Sequence, residues 1–242
     1  MNILVLNPGG NSLKADLIQC HAGQRYAFEG KQLFSVAIED IGKNPQLSIL
    51  QNKKKTATQP AHAGNYEQAA AGLLRWWAHS LHQNQLPPLS EVDAIGIRVV
   101  HGAREFSQPA RIDSDVISKI VALEKLAPLH NKSSVEILKP VQDQFPNVPA
   151  YAVFDTAFHR TIPEYASTYG IPQTLAEKHQ IRRYGFHGIS HRYLLERYAY
   201  LAGKPPAQCN IVSTHLESGC LSQLSGWENP SITQWDSRPS KV

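Results

Sequence analysis

Apolar and polar positions along this chain follow patterns that predict both strands and helices. Short apolar runs at residues 2–7, 94–100 and 150–154 predict buried strands, and the pattern at 12–19 predicts a strand that returns from a tight turn. Apolar positions three and four apart over residues 66–83 predict a helix with one buried face. Further predicted elements are strands at 32–38 and 210–214 and helices at 114–127, 131–144 and 190–201.

The order of these elements predicts an α/β fold in which helices flank a mixed sheet. The polar stretch at 39–64 is rich in lysine and glutamine and predicts no regular element. We expect the strand at 210–214 to begin a second sheet as an unpaired edge, which exposes backbone groups and favours self-association. Residues 221–242 show no period of either kind and contain two of the four tryptophans, so they predict a loop.

Composition places the chain among ordinary globular proteins. Its 242 residues can bury a sizeable core, 42% of them are hydrophobic and 18% are charged. The net charge of +4 is small, and the basic cluster at residues 53–55 predicts a solvated loop, so no nucleic-acid partner is expected. Three scattered cysteines without CxxC spacing indicate a reducing compartment. Because no signal segment or apolar span of ~18 residues is found, we expect a cytoplasmic protein with no membrane partner.

The turn at residues 7–14, "NPGGNSLK", is the first candidate for chemistry. Backbone N–H groups of a glycine-rich turn can converge on an anion, and Asn7, Ser12 and Lys14 add polar and positive groups. The turn lacks the GxxxxGK[ST] pattern and leads into a strand rather than a helix. A plain hairpin turn with glycine at positive φ explains the same residues.

Two charged residues in or after strands are the next candidates. Arg98 in "RVVHGA" lies inside an apolar strand, where a guanidinium is costly to bury unless it meets an anion. Asp155 in "VFDTAFH" directly follows a strand, a position from which carboxylates commonly contact ligands or metals in α/β proteins. Arg98 could instead pair with a carboxylate in a purely structural role. Asp155 could instead cap the turn that follows its strand.

Six of the eleven histidines lie in these motifs and in three others, "KLAPLHN", "RRYGFHGISHRY" and "STHLESGC". His130 would begin a helix, and by itself this position is explained equally well by a histidine without a function in a helix–loop–helix segment. His187 lies between two glycines, so its backbone can make a close approach, and with His191 it has the spacing of HExxH. The glutamate of that motif is missing, so no zinc site is expected. His215 could belong to a second phosphate turn, although Glu217 would repel phosphate.

Taken together, the motifs resemble those of the acetate and propionate kinase family. "LAPLHN", "VFDTAFH" and "RRYGFHGISHRY" carry the resemblance, which runs from Met1 to about Cys220. It implies the fold of the sugar kinase and actin superfamily, two ribonuclease H-like lobes with the active cleft between them. The implied division is a complete first lobe at 1–150, the opening of a catalytic and nucleotide lobe at 151–220, and an aberrant tail at 221–242.

The resemblance also implies an activity. Family members transfer the γ-phosphoryl group of ATP to acetate, propionate or butyrate, use Mg²⁺ or Mn²⁺ as cofactor, and form homodimers. By resemblance, the catalytic Arg98 would bind the acetate carboxylate, and His130 would line the same cleft. The catalytic His187 would stabilise the transition state, while the catalytic Asp155 would hold the metal together with Asn7. The implied nucleotide and phosphate residues are Asn7, Ser12, Lys14, His215 and Gly219.

The chain departs from the family pattern at both phosphate turns and at its end. Gly10 and Asn11 replace two serines of the first turn and can still present donors, whereas Glu217 replaces a glycine of the second turn and should impair nucleotide binding. Family members continue well beyond the position of Cys220 with a second catalytic arginine, an adenosine pocket and a metal-linked glutamate. We therefore expect little or no turnover from this chain alone, and the same truncation argues against the homodimer.

The tail suggests how this departure arose. When residues 221–242 are back-translated with free codon choice and read one base earlier, the shifted frame can spell MGFTPLEG, which closely follows the family's continuation. Our hypothesis is that a single-base deletion just after the Cys220 codon put the gene out of frame. The nucleotide sequence tests it, because a one-base insertion at that place must restore a long open frame.

Two functions of other classes stay open at this point. One is an anion-binding or interaction module without catalysis, which reuses the first lobe. The other is an inactive gene product that binds no ligand. Binding of phosphate or acetate without ATP hydrolysis would favour the first, and undetectable binding of both would favour the second.

Overall fold

A computed structural model describes residues 1–21, 29–51, 54–80, 86–128, 130–216, 220–226 and 229–236. The chain divides into two units. Unit 1 comprises Met1–His101 and Pro109–Val153, and unit 2 comprises Gly102–Gln108 and Phe154–Val242. The domain limits predicted at residues 150 and 220 stay predictions.

A mixed sheet of eight strands forms the centre of unit 1, which confirms the predicted fold class. The first four strands each pair antiparallel with the next, and the first also pairs in parallel with the sixth. A parallel pair needs a long crossover, and here the intervening chain includes a helix. The strands are β1 Asn2–Pro8, β2 Leu13–Gln19, β3 Lys31–Glu39, β4 Gln46–Gln51, β5 Lys54–Pro60, β6 Ala94–Val99, β7 Ala110–Arg111 and β8 Ala150–Phe154, in the spatial order β5-β4-β3-β2-β1-β6-β8-β7.

The helices of unit 1 bury apolar side chains against this sheet. Leu4, Leu6 and Ile97 on the strands and Trp77 on the first helix belong to one buried cluster. The Trp77 ring meets Phe34 edge to face, with centroids 4.6 Å apart, and its Nε1–H donates to a backbone carbonyl. This burial stabilises the strands that carry the candidate residues. The helices are α1 Tyr66–Ser80, α2 Ser114–Ala122, α3 Asn131–Glu136 and α4 Leu138–Gln144.

Two predicted helices are shorter in the structure than the sequence pattern indicates. The helix predicted at 114–127 ends at Ala122, and the residues that follow form i→i+3 turns up to Pro128, which disfavours the α conformation at Ala127 directly before it. The helix predicted at 131–144 is divided into α3 and α4. Pro140 lacks an N–H, and its ring would clash with the carbonyl of Glu136, where α3 ends.

The polar stretch predicted to be irregular contains two strands, β4 and β5. Leu47 and Ser48 of β4 are buried, whereas every residue of β5 is exposed at the edge of the sheet. Lys55 forms an ion pair with Glu39, so the predicted basic loop is in part an exposed strand, and Lys53 lies outside the described residues. A charged edge strand has no apolar period, which is why the sequence pattern missed it.

Unit 2 combines helices with an antiparallel sheet of three strands. The helix predicted at 190–201 packs Leu195 and Ala199 against Cys209 and Ile211. Among the described residues, no helix has the length and apolar character that crossing a membrane requires. The elements are α5 Glu164–Ser167, α6 Gln173–His179, α7 Gly188–Ala202, β9 Ile211–Leu216, β10 Cys220–Gly226 and β11 Asn229–Asp236, with the strand order β11-β10-β9.

The strand predicted as an unpaired edge has a neighbour. β9 pairs with β10, where His215 lies opposite Leu221, and β10 pairs in turn with β11. The predicted unpaired edge is therefore wrong, and so is the predicted loop for residues 221–226 and 229–236, while the rest of that predicted loop lies outside the described residues. Backbone N–H and C=O groups at an open strand edge pair without any side-chain period, so the sequence pattern gave no sign of these strands.

Candidate active site

The turn at residues 7–14 is a hairpin between β1 and β2, as one of its two interpretations predicts, but neither Gly9 nor Gly10 has the positive φ that this interpretation expected. The Gly9 N–H donates to the Ser12 carbonyl at 2.7 Å, and Asn7 lies opposite Lys14 in the antiparallel register. Ser12 is partly buried and Lys14 is exposed, so solvent reaches both residues. The hairpin is compatible with anion binding, and its role as a phosphate turn stays a prediction.

The side chains of Asn7 and Arg98 meet near the carboxyl ends of two neighbouring parallel strands. Leu6 pairs with Ile97 in the register of β1 and β6, so the next residues are Asn7 and Arg98. Arg98 Nη1 donates to Asn7 Oδ1 at 3.0 Å, and Arg98 is only partly buried. The neutral amide orients the guanidinium without neutralising its charge. Because ligands of α/β sheets bind at this edge, the pair is well placed to meet an anion.

Buried Asn131 ties "RVVHGA" to "KLAPLHN". Its side chain accepts from the His101 N–H at 3.0 Å and donates to the His101 carbonyl at 2.9 Å. His130, the predicted site residue, is exposed at the start of α3, and its carbonyl accepts from the Ser133 hydroxyl at 2.6 Å. The sequence offered one signal for Asn131, an amide at a helix start, which indicates a cap rather than this tie between two segments.

Asp155 is buried directly after β8, with 1% of its surface exposed. Its carbonyl accepts from the Gly188 N–H at 2.9 Å, which ties the strand end to the start of α7. The hydroxyl of neighbouring Thr156 accepts from the Gly102 N–H, also at 2.9 Å. One backbone–backbone hydrogen bond and one from a backbone N–H to a side-chain hydroxyl therefore hold the segment that carries this carboxylate.

His187 lies in a left-handed turn at the start of α7. Its φ is 54°, that of Gly185 is 73°, and Gly188 is the first residue of the helix. The backbone does make a close approach here, since a Cβ at Gly188 would lie 2.2 Å from the Asp155 carbonyl oxygen. The His187 ring stacks on His215, with centroids 4.2 Å apart and planes 3° from parallel. Two predicted site histidines are thus in contact.

Two further histidines, His159 and His191, are buried in unit 2 with 1% and 0% of their surface exposed. His191 Nδ1 lies 2.7 Å from the Ser213 hydroxyl. Burial is the main cause that lowers the pKa of each imidazole to about 4. Sequence alone indicated no role for them, because a buried histidine and a ligand-binding histidine look the same in a sequence.

Within the described ranges, no group of three or more His, Cys, Asp or Glu side chains could hold a metal.

Acid is expected to destabilise both units through their buried histidines. Burial lowers the pKa of His101 in unit 1 to about 4, as it does for His159 and His191 in unit 2. In the unfolded chain these groups bind a proton near the ordinary value of 6.5. Between that value and about 4 the unfolded state therefore binds more protons, and the free energy of unfolding falls as the pH falls. The slope is at most about 1.4 kcal/mol per pH unit for each histidine.

Urea unfolding at several pH values in this window measures the slope. His101→Gln is expected to make unit 1 less sensitive to acid. Ile97→Val, which removes one buried methyl group, is the matched control and should lower stability by about 1 kcal/mol at every pH. A free energy of unfolding that stays constant across the window would contradict the expectation.

The predicted residues thus form two groups, one in each unit. In unit 1, Arg98 is hydrogen-bonded to a residue of the hairpin. In unit 2, the backbone of Asp155 is tied to the turn whose His187 stacks on His215. Gly219 of the second predicted phosphate turn, and the glutamate two residues before it, lie outside the described residues.

Comparisons with known proteins agree with these motifs. The profile described as the Acetokinase family matches residues 2–225. An acetate kinase of Caldanaerobacter subterraneus subsp. tengcongensis is 39% identical over 219 residues, which cover 90% of this chain and 53% of that protein. The crystal structure of Porphyromonas gingivalis acetate kinase matches with a TM-score of 0.83 and 28% identity, over 98% of this chain and 58% of the other.

A propionate kinase structure from Francisella tularensis subsp. tularensis matches with a TM-score of 0.81 and 34% identity, over 98% of this chain and 57% of that one. The chain therefore spans about half the length of the curated relatives it matches. The family match covers more than nine-tenths of the sequence and includes every predicted site residue. On these grounds, the chain belongs to the acetokinase family.

Proposed function

We propose that the chain carries site residues of an acetate kinase-type phosphotransferase, which transfers the γ-phosphoryl group of ATP directly to acetate and gives acetyl phosphate and ADP. Family membership supports the reaction class. The observation that carries the proposal is the hydrogen bond from Arg98 to Asn7, which orients a guanidinium at the carboxyl end of a parallel strand pair. Phosphoryl transfer depends mainly on positioning and charge neutralisation, which such a group supplies. We further propose a cytoplasmic location, where scattered cysteines stay reduced.

In unit 1, the proposed task is binding of the acceptor and of phosphate. The planar Arg98 fork matches a carboxylate with two parallel N–H bonds, and Asn7 orients it. Lys14 and Ser12 on the hairpin are proposed phosphate contacts, since Lys14 brings a positive charge and Ser12 a hydroxyl donor. His130, exposed at the start of α3, is the remaining proposed substrate contact of this unit.

In unit 2, the proposed task is stabilisation of the transferred group. The His187 imidazole would donate an N–H to the equatorial oxygens, on which negative charge is spread in the transition state. His215 stacks on this ring, and its Nδ1 lies 3.1 Å from the Ser190 hydroxyl. This contact fixes the plane in which the His187 ring presents its nitrogens. Together with Gly219, His215 is also proposed to contact phosphate.

A divalent metal, Mg²⁺ or Mn²⁺, would be held chiefly by Asp155. Mg²⁺ typically binds one or two carboxylates and completes its shell with water and substrate phosphates, so the buried Asp155 carboxylate fits a metal that arrives with ATP. Asn7 is the second proposed ligand. Its Oδ1 already accepts from Arg98, and a guanidinium disfavours a cation at the same oxygen, so Asp155 is the stronger of the two. When bound, the metal would shield the charge between the phosphates.

We expect the 242-residue chain by itself to release ADP slowly or not at all from ATP, acetate and Mg²⁺. The chain spans about half of its relatives, and Glu217 replaces a glycine of the predicted second phosphate turn. A coupled ADP-release assay measures the rate, with Asp155→Asn as the control for contaminating ATPases. A rate in the range of about 1–100 s⁻¹ that typifies kinases, lost in the variant, would contradict low turnover. A rate of ADP release that does not change when acetate is left out would contradict acetate as the acceptor.

Propionate is the second candidate acceptor. The match to a propionate kinase, at 34% identity and a TM-score of 0.81, is as strong as the match to an acetate kinase structure. One extra methylene in an apolar pocket changes the binding free energy by about 1–3 kcal/mol. Titrating the chain with acetate and with propionate under the same conditions therefore shows which acceptor binds more tightly.

A further inference from the structure

The turn that carries His187 is held in a conformation that the sequence does not favour. A non-glycine residue in the left-handed region costs about 1–2 kcal/mol and persists only where the surroundings fix it. His187 has φ 54° and follows Phe186 and Gly185, the latter at φ 73°. Because the direction of the His187 ring depends on this backbone, the residues that fix the turn decide where the ring points.

The side chain of His159 contacts this turn. Its Nε2 lies 2.9 Å from the Phe186 carbonyl oxygen. Its ring fills the space beside Gly185, where a Cβ would lie only 2.4 Å from Cγ of His159. A Cβ at Gly188 would lie 3.2 Å from Cδ2 of the same ring. One imidazole thus packs against the residues on both sides of His187.

The hydrogen bond defines the protonation of His159. A carbonyl oxygen can only accept, so Nε2 must carry the hydrogen and donate it. With 1% of the residue exposed, burial lowers its pKa to about 4, and neighbouring His191 and His187 lower it too. The ring is therefore neutral near pH 7, which leaves Nδ1 as an acceptor, and this buried atom has no hydrogen-bond partner among the described residues. If the His159 ring served only for packing, it would not need the N–H donor at Nε2.

We propose that His159 is a positioning residue, which holds the left-handed turn through its Nε2–H bond to the Phe186 carbonyl and thereby sets the direction of the His187 ring. The link joins "VFDTAFH" to "RRYGFHGISHRY", so the two motifs act as one frame. The functional meaning of this role rests on the proposed task of His187 in phosphoryl transfer, whereas the structural claim does not.

The test compares two variants of His159 in the full 242-residue chain. His159→Gln keeps an N–H donor close to the position of Nε2, and His159→Phe keeps a planar ring but removes the donor. The readout is the ring-current shift that the stacked rings of His187 and His215 impose on each other's Cε1–H signals in NMR. We expect this shift to persist in His159→Gln and to be lost in His159→Phe. His101→Phe, the same change at a buried histidine of unit 1, should leave it unchanged.

Two outcomes would overturn the proposal: a ring-current shift retained in His159→Phe, or its loss in both His159 variants. If His159→Phe does not fold, NMR of the unaltered chain still tests the proposal, because the ¹⁵N chemical shifts of the His159 ring report its tautomer. A slowly exchanging Nε2–H on His159 supports the proposal, and an Nδ1–H tautomer overturns it. These signals do not depend on ATP or acetate, so a failure of the proposed function would leave them unchanged and is recognisable as a separate result.

Discussion

Gly188→Ala is expected to lower the stability of unit 2 by about 3 kcal/mol and to release the turn at His187. The added Cβ would lie 2.2 Å from the carbonyl oxygen of Asp155 and 3.0 Å from Cβ of Phe158. Neither atom belongs to the far end of a flexible side chain, so neither can rotate away, and the backbone must shift. The shift would also break the hydrogen bond from the residue 188 N–H to the Asp155 carbonyl, so Asp155 and His187 would lose their fixed relation.

Chemical denaturation followed in unit 2 measures this effect. Gly170→Ala is the matched control, because it makes the same change in the same unit at a glycine where no atom of the described residues lies within 4 Å of the new Cβ. We expect the control to stay within about 0.5 kcal/mol of the unaltered chain. Equal stability of the two variants would show that the close approach at Gly188 does not hold the turn.

Sequence patterns predicted most of the elements that are buried on one or both faces, with β4 as an exception. The strands around Leu6, Ile97 and Ala152 are apolar runs, and α1 follows a helical period, so each has a signal that burial imposes. The motif residues were also identifiable, because an arginine in an apolar strand and a carboxylate after a strand are costly without a partner. The sequence therefore sufficed for strands β1, β2, β3, β6 and β8 of this sheet and for its candidate residues, but not for β4, β5 and β7 of the same sheet.

Elements fixed by backbone pairing or by a single residue could not be predicted in this way. β5 is exposed at every position and β10 pairs with β9 through backbone groups, so neither requires an apolar period. Pro140 breaks a helix whose apolar period runs on through it. The contacts of His159 and of Asn131 span 27 and 30 residues along the chain, and no local pattern reports a partner at that distance.

Arg98→Gln is expected to weaken acetate binding by about 10- to 150-fold. Hydrogen bonds to a charged partner contribute about 1.5–3 kcal/mol, and glutamine replaces a charged fork with a neutral amide. Arg98→Lys keeps the positive charge but loses the two parallel N–H bonds, so an intermediate loss is expected. Arg75→Gln is the matched control, since it makes the same change at an exposed arginine on α1 of the same unit.

The most direct test of the proposed function is an NMR titration of the unaltered chain and these variants with acetate, with sulfate as the competing anion. We predict that acetate shifts the amide signals around Asn7 and Arg98 in the unaltered chain and in Arg75→Gln, with sulfate binding more weakly, and that Arg98→Gln loses the response. Sulfate binding as strong as acetate would instead indicate a general anion-binding module. Equal acetate affinity in Arg98→Gln, or no acetate binding by the unaltered chain, would contradict the acetate kinase-type site.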